Sequence, residues 1–137
     1  MAKKYGFELQ HVEVPAPGTE QQSQWLEIRR ARPDFVLLRS WGVMTPAALK
    51  SAQKVGFPRE NIVANWWGGS EEDAIAAGDA AKGYIAGSFA LDGRQFPVIQ
   101  NIEKTVYGAG KGNLSDKGFI GTVNYNRGVV SGILMVE

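Results

Sequence analysis

Apolar and polar positions alternate over residues 7–14, "FELQHVEV", the pattern of a half-buried strand. "PAPG" ends that run. Thr19 and Gln22 then have capping-box spacing, and "EQQSQWLEIRRA" sets Trp25, Leu26 and Ile28 on one side, so the period changes to that of a helix, which Pro33 stops. "DFVLLRS" is nearly continuously apolar, as expected of a strand buried on both faces. After "WGVM", Thr45 is placed as an N-cap and Pro46 as the first helical residue. Ala48, Leu49, Ala52 and Val55 follow at helical spacing until Gly56.

The third apolar run, "NIVANWW", predicts another strand. Gly68 and Gly69 lead from it to Ser70, a cap followed by Glu71, Glu72 and Asp73, where acids favour the start of a short helix ending at Ala77. Another turn of helix and a strand over residues 84–90 come next. Two more helices, 96–108 and 122–137, are separated by the glycine-rich "AGKGNLSDKGFIG". At the start, "AKKYG" reads as the last turn of a helix with Gly6 in the C′ position. Strands alternating with helices predict an α/β fold, with βαβ units on a parallel sheet covered on both faces.

Composition narrows the chemistry more than the fold. The 137 residues are 44% apolar and 21% charged, which suits one globular domain. Fifteen basic residues against 14 acidic ones, without a basic cluster, argue against a nucleic-acid partner. The absence of cysteine removes disulfides and thiolate chemistry, and the one histidine, His11, falls in the first predicted strand. No catalytic residues, metal ligands or cofactor are therefore expected. "GAGKGN" fails as a phosphate loop, because Lys111 precedes a glycine and the segment follows a helix. No run approaches a membrane span, and "MAKKYGFELQ" lacks a signal-peptide core.

In a parallel sheet, ligands bind beyond the carboxyl ends of the strands, here at "PAPGT", "SWGVMT" and "NWWGGS". The candidate ligand-facing set is Trp41, Gly42, Met44 and Thr45 in one loop and Asn65, Trp66 and Ser70 in another. Alternation along the strand sends one of Trp66 and Trp67 into the core and the other to the cleft, and Trp66 is taken as the cleft-facing one. Backbone N–H groups at the Thr45 helix start are candidates to hold a carboxylate. An aromatic mouth of this kind grips an apolar or aromatic solute.

"RPDFVLLRSWG", "ALKSAQKVGFP" and "AAGDAAKGYIAGSF" together resemble the second lobe of type I periplasmic solute-binding proteins of the branched-chain amino acid ABC-importer class. The resemblance covers most of the chain. It implies a parallel-sheet βαβ lobe with flavodoxin-like layering, incomplete here, from a two-lobed extracytoplasmic protein that closes on a small solute and docks on a membrane permease. Residues 1–137 would be a single lobe fragment, with about 1–92 as lobe core and about 93–137 as helices crossing toward the other lobe. The family's aromatic position falls on Trp41. The carboxylate that takes the ammonium group in amino-acid-binding relatives falls on Trp66, which disfavours an ordinary branched-chain amino acid. The implied ligand is an apolar or aromatic small carboxylate or an amino-acid-like solute, with Glu71 and Glu72 as the remaining carboxylates for an ammonium. A ligand-sensing regulatory domain of the same fold is the alternative. A lobe without its neighbour is expected to expose apolar surface and self-associate.

Overall fold

The computed structural model describes residues 2–136. Its helices are α1 (Ala2–Tyr5), α2 (Gln22–Ala31), α3 (Met44–Lys54), α4 (Glu71–Ala77), α5 (Pro97–Ile102) and α6 (Val123–Val136). Strands β1 (Val36–Leu38), β2 (Ile62–Ala64) and β3 (Ile85–Ala86) form one parallel sheet in the order β1-β2-β3. The α/β parallel lobe expected from the sequence is the fold observed. Apolar periodicity explains the core: Trp25 on α2, Ala48, Leu49 and Ala52 on α3 and Ala77 on α4 pack with Ile62, and Val36 and Leu38 lie against them. Burying side chains such as Leu49 and Ile62, both fully covered, contributes about 1.5–3 kcal/mol each.

That core covers one face of the sheet only. Leu37 pairs in register with Val63, and Val63 with Ile85. Leu37 is 74% and Ile85 52% exposed, and Phe35 beside them is also open. The expectation of a β1 buried on both faces, and of helices on both sides, is corrected here. Helices α2, α3 and α4 all feed one cluster, so among the described residues only the Val36–Ile62 side is covered.

Residues 7–14 are not a strand, although Val12 and Val14 are half-buried between exposed neighbours. Alternation describes a face, but a strand also needs a ladder, and this segment donates to no strand in the sheet. His11 lies exposed within it.

The helix ends agree with the expected caps only in part: α3 begins at Met44 after Val43, so Thr45 and Pro46 lie inside it and not at the cap and first position. Gly6 and Gly56 adopt φ of +70° and +71° after α1 and α3, as a left-handed closing residue requires. Helix α4 spans the expected residues, and its Asp73 N–H donates to Ser70 Oγ at 3.3 Å. The Thr19–Gln22 box does not form. Helix α2 begins later, and the buried Gln21 amide donates to the carbonyls of Gly18 and Met44 at 2.6 and 2.9 Å, tying its start to α3. The predicted 96–108 helix is α5 continued as a π-helical segment over Glu103–Tyr107. The last predicted helix is α6, and Glu137, assigned to it above, lies outside the described residues.

Candidate functional site

The carboxyl ends of the three strands each deliver an aromatic side chain to one side of the molecule. Trp41 follows β1, Trp66 and Trp67 follow β2, and Phe89 follows β3. Trp66 and Trp67 stack at 4.3 Å between centroids with planes 25° apart, Trp41 lies 6.3 Å from Trp67, and Phe89 meets Trp66 edge-on at 4.9 Å. The result is a continuous row, Trp41–Trp67–Trp66–Phe89. Its rings are accessible: Trp41 is 54%, Trp67 50% and Phe89 70% exposed, whereas Trp66 is half-buried among its neighbours.

Trp67 therefore does not enter the core as expected, and neither indole is turned inward. Strand β2 ends at Ala64, and Trp66–Gly68 form a 3₁₀ turn. Successive side chains there rotate by about 120° rather than 180°, so both tryptophans can point outward and stack. Gly68 and Gly69 are needed for space rather than for positive φ. A Cβ on Gly69 would sit 2.7 Å from the Gly87 carbonyl oxygen after β3. The Tyr84 hydroxyl donates to Gly68 O at 3.0 Å, and burial, then the charge of Asp73, holds that phenol well above its ordinary pKa, so it stays a donor.

The other expected residues take different places. Gly42 has φ of +52° and is exposed in the turn after Trp41. Met44 is buried, with its carbonyl accepting from Gln21. Thr45 is fully buried, with its hydroxyl 2.9 Å from Ser40 Oγ. The start of α3 offers no free cradle for a carboxylate, because the N–H groups of Met44, Thr45 and Ala47 donate to Trp41, Gly42 and Val43 carbonyls and Pro46 has none. Asn65 directly precedes the tryptophans after β2, half-buried, its Oδ1 buried without a partner among the described residues. Ser70 serves as the α4 cap.

Two residues of the row escaped sequence reading. Phe89 was assigned to the interior of a strand that in fact ends at Ala86; Gly87 and Ser88 are the signal that the strand stops early. Arg127 is the sole charged residue in the 14-residue helix α6, and that isolation is its only sequence signal. Its guanidinium carbon lies 5.1 Å from the Trp66 ring centroid and 4.7 Å from that of Phe89.

The start of α6 is fixed firmly. Both oxygens of Glu71 accept from the Val123 N–H, at 3.2 and 3.1 Å, and Glu72 accepts from Asn124 at 3.2 Å. The Asn126 amide donates to the carbonyls of Leu91 and Gly93 at 3.0 and 3.2 Å, and Arg94 reaches Ile120 O at 2.9 Å. Glu71 and Glu72 thus hold a helix, and neither is a free carboxylate beside the tryptophans.

A separate open groove of about 550 Å³ lies between α2 and α3, lined among others by Gln22, Pro46, Lys50 and Lys54. It contains none of the four rings, and the aromatic row is the more specific feature. Among the described residues no group of acids, histidines or cysteines could hold a metal, and no helix is long and apolar enough to cross a membrane.

Compared with known proteins, residues 1–122 match the family model described as periplasmic binding protein. The chain is also similar, over 99% of its length and at 43% identity with a TM-score of 0.83, to a solved crystal structure described as an ABC transporter permease from the Pseudomonas fluorescens group. It spans 33% of that structure's chain. No curated protein matches it.

Proposed function

Because the chain belongs to the type I periplasmic binding proteins of the branched-chain amino acid type, a family of solute binders, we propose that it supplies one wall of a cleft for an apolar or aromatic small carboxylate. The carrying observation is the row Trp41–Trp67–Trp66–Phe89 at the carboxyl ends of all three parallel strands. Stacked and edge-on rings offer a flat apolar surface, and the position is where an open parallel sheet takes its ligand. Among the described residues no free carboxylate stands in the row to meet an ammonium group, which supports a solute other than an ordinary branched-chain amino acid. Of the residues expected to face the ligand, Trp41 and Trp66 contribute rings, Asn65 a buried acceptor, and Gly42, Met44, Thr45 and Ser70 the frame.

On this reading the function is extracytoplasmic solute capture for an ABC importer, without catalysis, and delivery is to membrane permease subunits. Residues 93–137 would reach toward a second lobe. The row of exposed Leu37, half-buried Val63 and exposed Ile85 would make the isolated chain self-associate.

Tryptophan fluorescence and NMR titration of the chain with benzoate, indole-3-acetate, leucine and valine test the ligand class. One wall supplies only part of the contacts, so weak binding is expected. Aromatic carboxylates should perturb the Trp41 and Trp67 indole signals and leucine should not, with W67A abolishing the response. Leucine binding that leaves the indoles unmoved would refute the reading.

A further inference from the structure

Beside the Trp66–Phe89 end of the aromatic row stands a cation with no counter-ion among the described residues. Arg127 lies against both the Trp66 and Phe89 rings, with its carbon 5.1 and 4.7 Å from their centroids, which are themselves 4.9 Å apart. Contact with aromatic rings uses up none of the five N–H groups that a guanidinium carries. Among the described residues its side chain makes one hydrogen bond, from Nη2 to the Trp66 carbonyl at 3.5 Å, and Nε is buried with no partner.

Arg127 also lacks an ion pair among the described residues, where the two pairs are Lys82 with Asp79 and Arg94 with Glu103. The acids that begin α4 are occupied, Glu71 on the Val123 N–H and Glu72 on the Asn124 amide. Those bonds, with Asn126 on the 91–93 loop, hold Arg127 on the first turns of α6. A half-buried cation held in place beside accessible rings, with unused donors and no acid, is arranged to meet an anion.

We infer that Arg127 recognises the anionic group of the solute, so that the row selects aromatic carboxylates over neutral and cationic aromatics of the same shape. The inference rests on the solute-binding reading above. The ring of the solute lies along the Trp66–Trp67 surface, and its carboxylate accepts from the edge of the guanidinium. A residue that merely glued Trp66 to Phe89 would show no such preference for charge.

The test compares benzoate, benzamide and benzylamine against the chain, read by tryptophan fluorescence and by the Arg Nε–Hε signals in NMR spectra. Benzoate should bind about tenfold or more tighter than benzamide, with benzylamine weakest, and should shift one Arg Nε–Hε signal that is absent from R127Q. R127Q should reduce benzoate binding to the benzamide level and leave benzamide nearly unchanged, while R127K should keep part of the preference. Equal binding of benzoate and benzamide by the native chain would overturn the role of Arg127 and leave the aromatic site standing. So would equal losses for both solutes in R127Q and R127K. Failure of all three solutes to bind would overturn the site itself. The native comparison decides the matter even if R127Q does not fold.

Discussion

Replacing Glu71 should loosen α6 while leaving the core intact. Its two carboxylate oxygens accept from one backbone N–H, that of Val123, which is 6% exposed and stands at the first position of α6. Glu71→Ala leaves a donor without a partner at a helix N-terminus, and it removes a negative charge from the positive end of the helix dipole. Hydrogen bonds to charged groups contribute about 1.5–3 kcal/mol. Because Glu71 is only half-buried, solvent screening discounts that figure to about 1–2 kcal/mol. If α6 opens locally, this raises its open population roughly 5–30-fold. Amide hydrogen exchange over residues 123–130 should accelerate by that factor, while the amides of α3, packed in the core, keep their rates. Glu71→Gln keeps an acceptor oxygen and should fall between the two. The Trp66 signal should move with α6, since Arg127 leaves its ring. Unchanged α6 exchange in Glu71→Ala would refute the reasoning, and equal acceleration in α3 would show that Glu71 acts on the whole fold.

Gly69→Ala places a Cβ 2.7 Å from the Gly87 carbonyl, a backbone atom that cannot swing aside, and should cost about 1–3 kcal/mol in urea unfolding with a changed tryptophan emission. Asp73→Asn should stabilise the chain at pH 7. Burial, then the Glu72 charge, raises the Asp73 pKa above its ordinary 3.8 against the opposing bond from Ser70, so ionisation disfavours the fold as pH rises through that window. The gain should vanish below pH 4 in denaturation series; a gain that persists at pH 3 would contradict it. Leu37→Lys, at a side chain 74% exposed, should leave the melting temperature nearly unchanged and lower the self-association measured by sedimentation.

What could be read in the sequence was local. Helix α4 announces itself through Ser70 and three acids, and its bounds follow, because a cap and a dipole act within one turn. Helix α3 and its buried Ala48, Leu49 and Ala52 were legible for the same reason, their spacing being a property of a single helix. Residues 7–14 failed because a strand is a relation between segments, and an alternating pattern does not name its partner. Leu37 failed similarly: an apolar run reports that a side chain can be buried, while burial depends on which helices arrive.

The site divides along the same line. "NWWGGS" marked the place, yet the direction of each indole depended on where β2 ended: a strand continued past Ala64 would turn only one of the two indoles outward, whereas the 3₁₀ turn lets both face out. Gly68 and Gly69 were read as a turn, although Gly69 is there because β3 brings Gly87 close, a constraint from 18 residues away. Arg127 is farther still, 61 residues from Trp66, and it arrives because Glu71 and Asn126 fix the helix that carries it. The rings could thus be found by looking at strand ends. Their charge could not, because it comes from an element that joins the site by tertiary hydrogen bonds. If α6 delivers the charge, anything that loosens its start should lower affinity for a carboxylate more than for its amide. Glu71→Ala should therefore reproduce in part the selectivity loss of R127Q without altering any group that touches the solute.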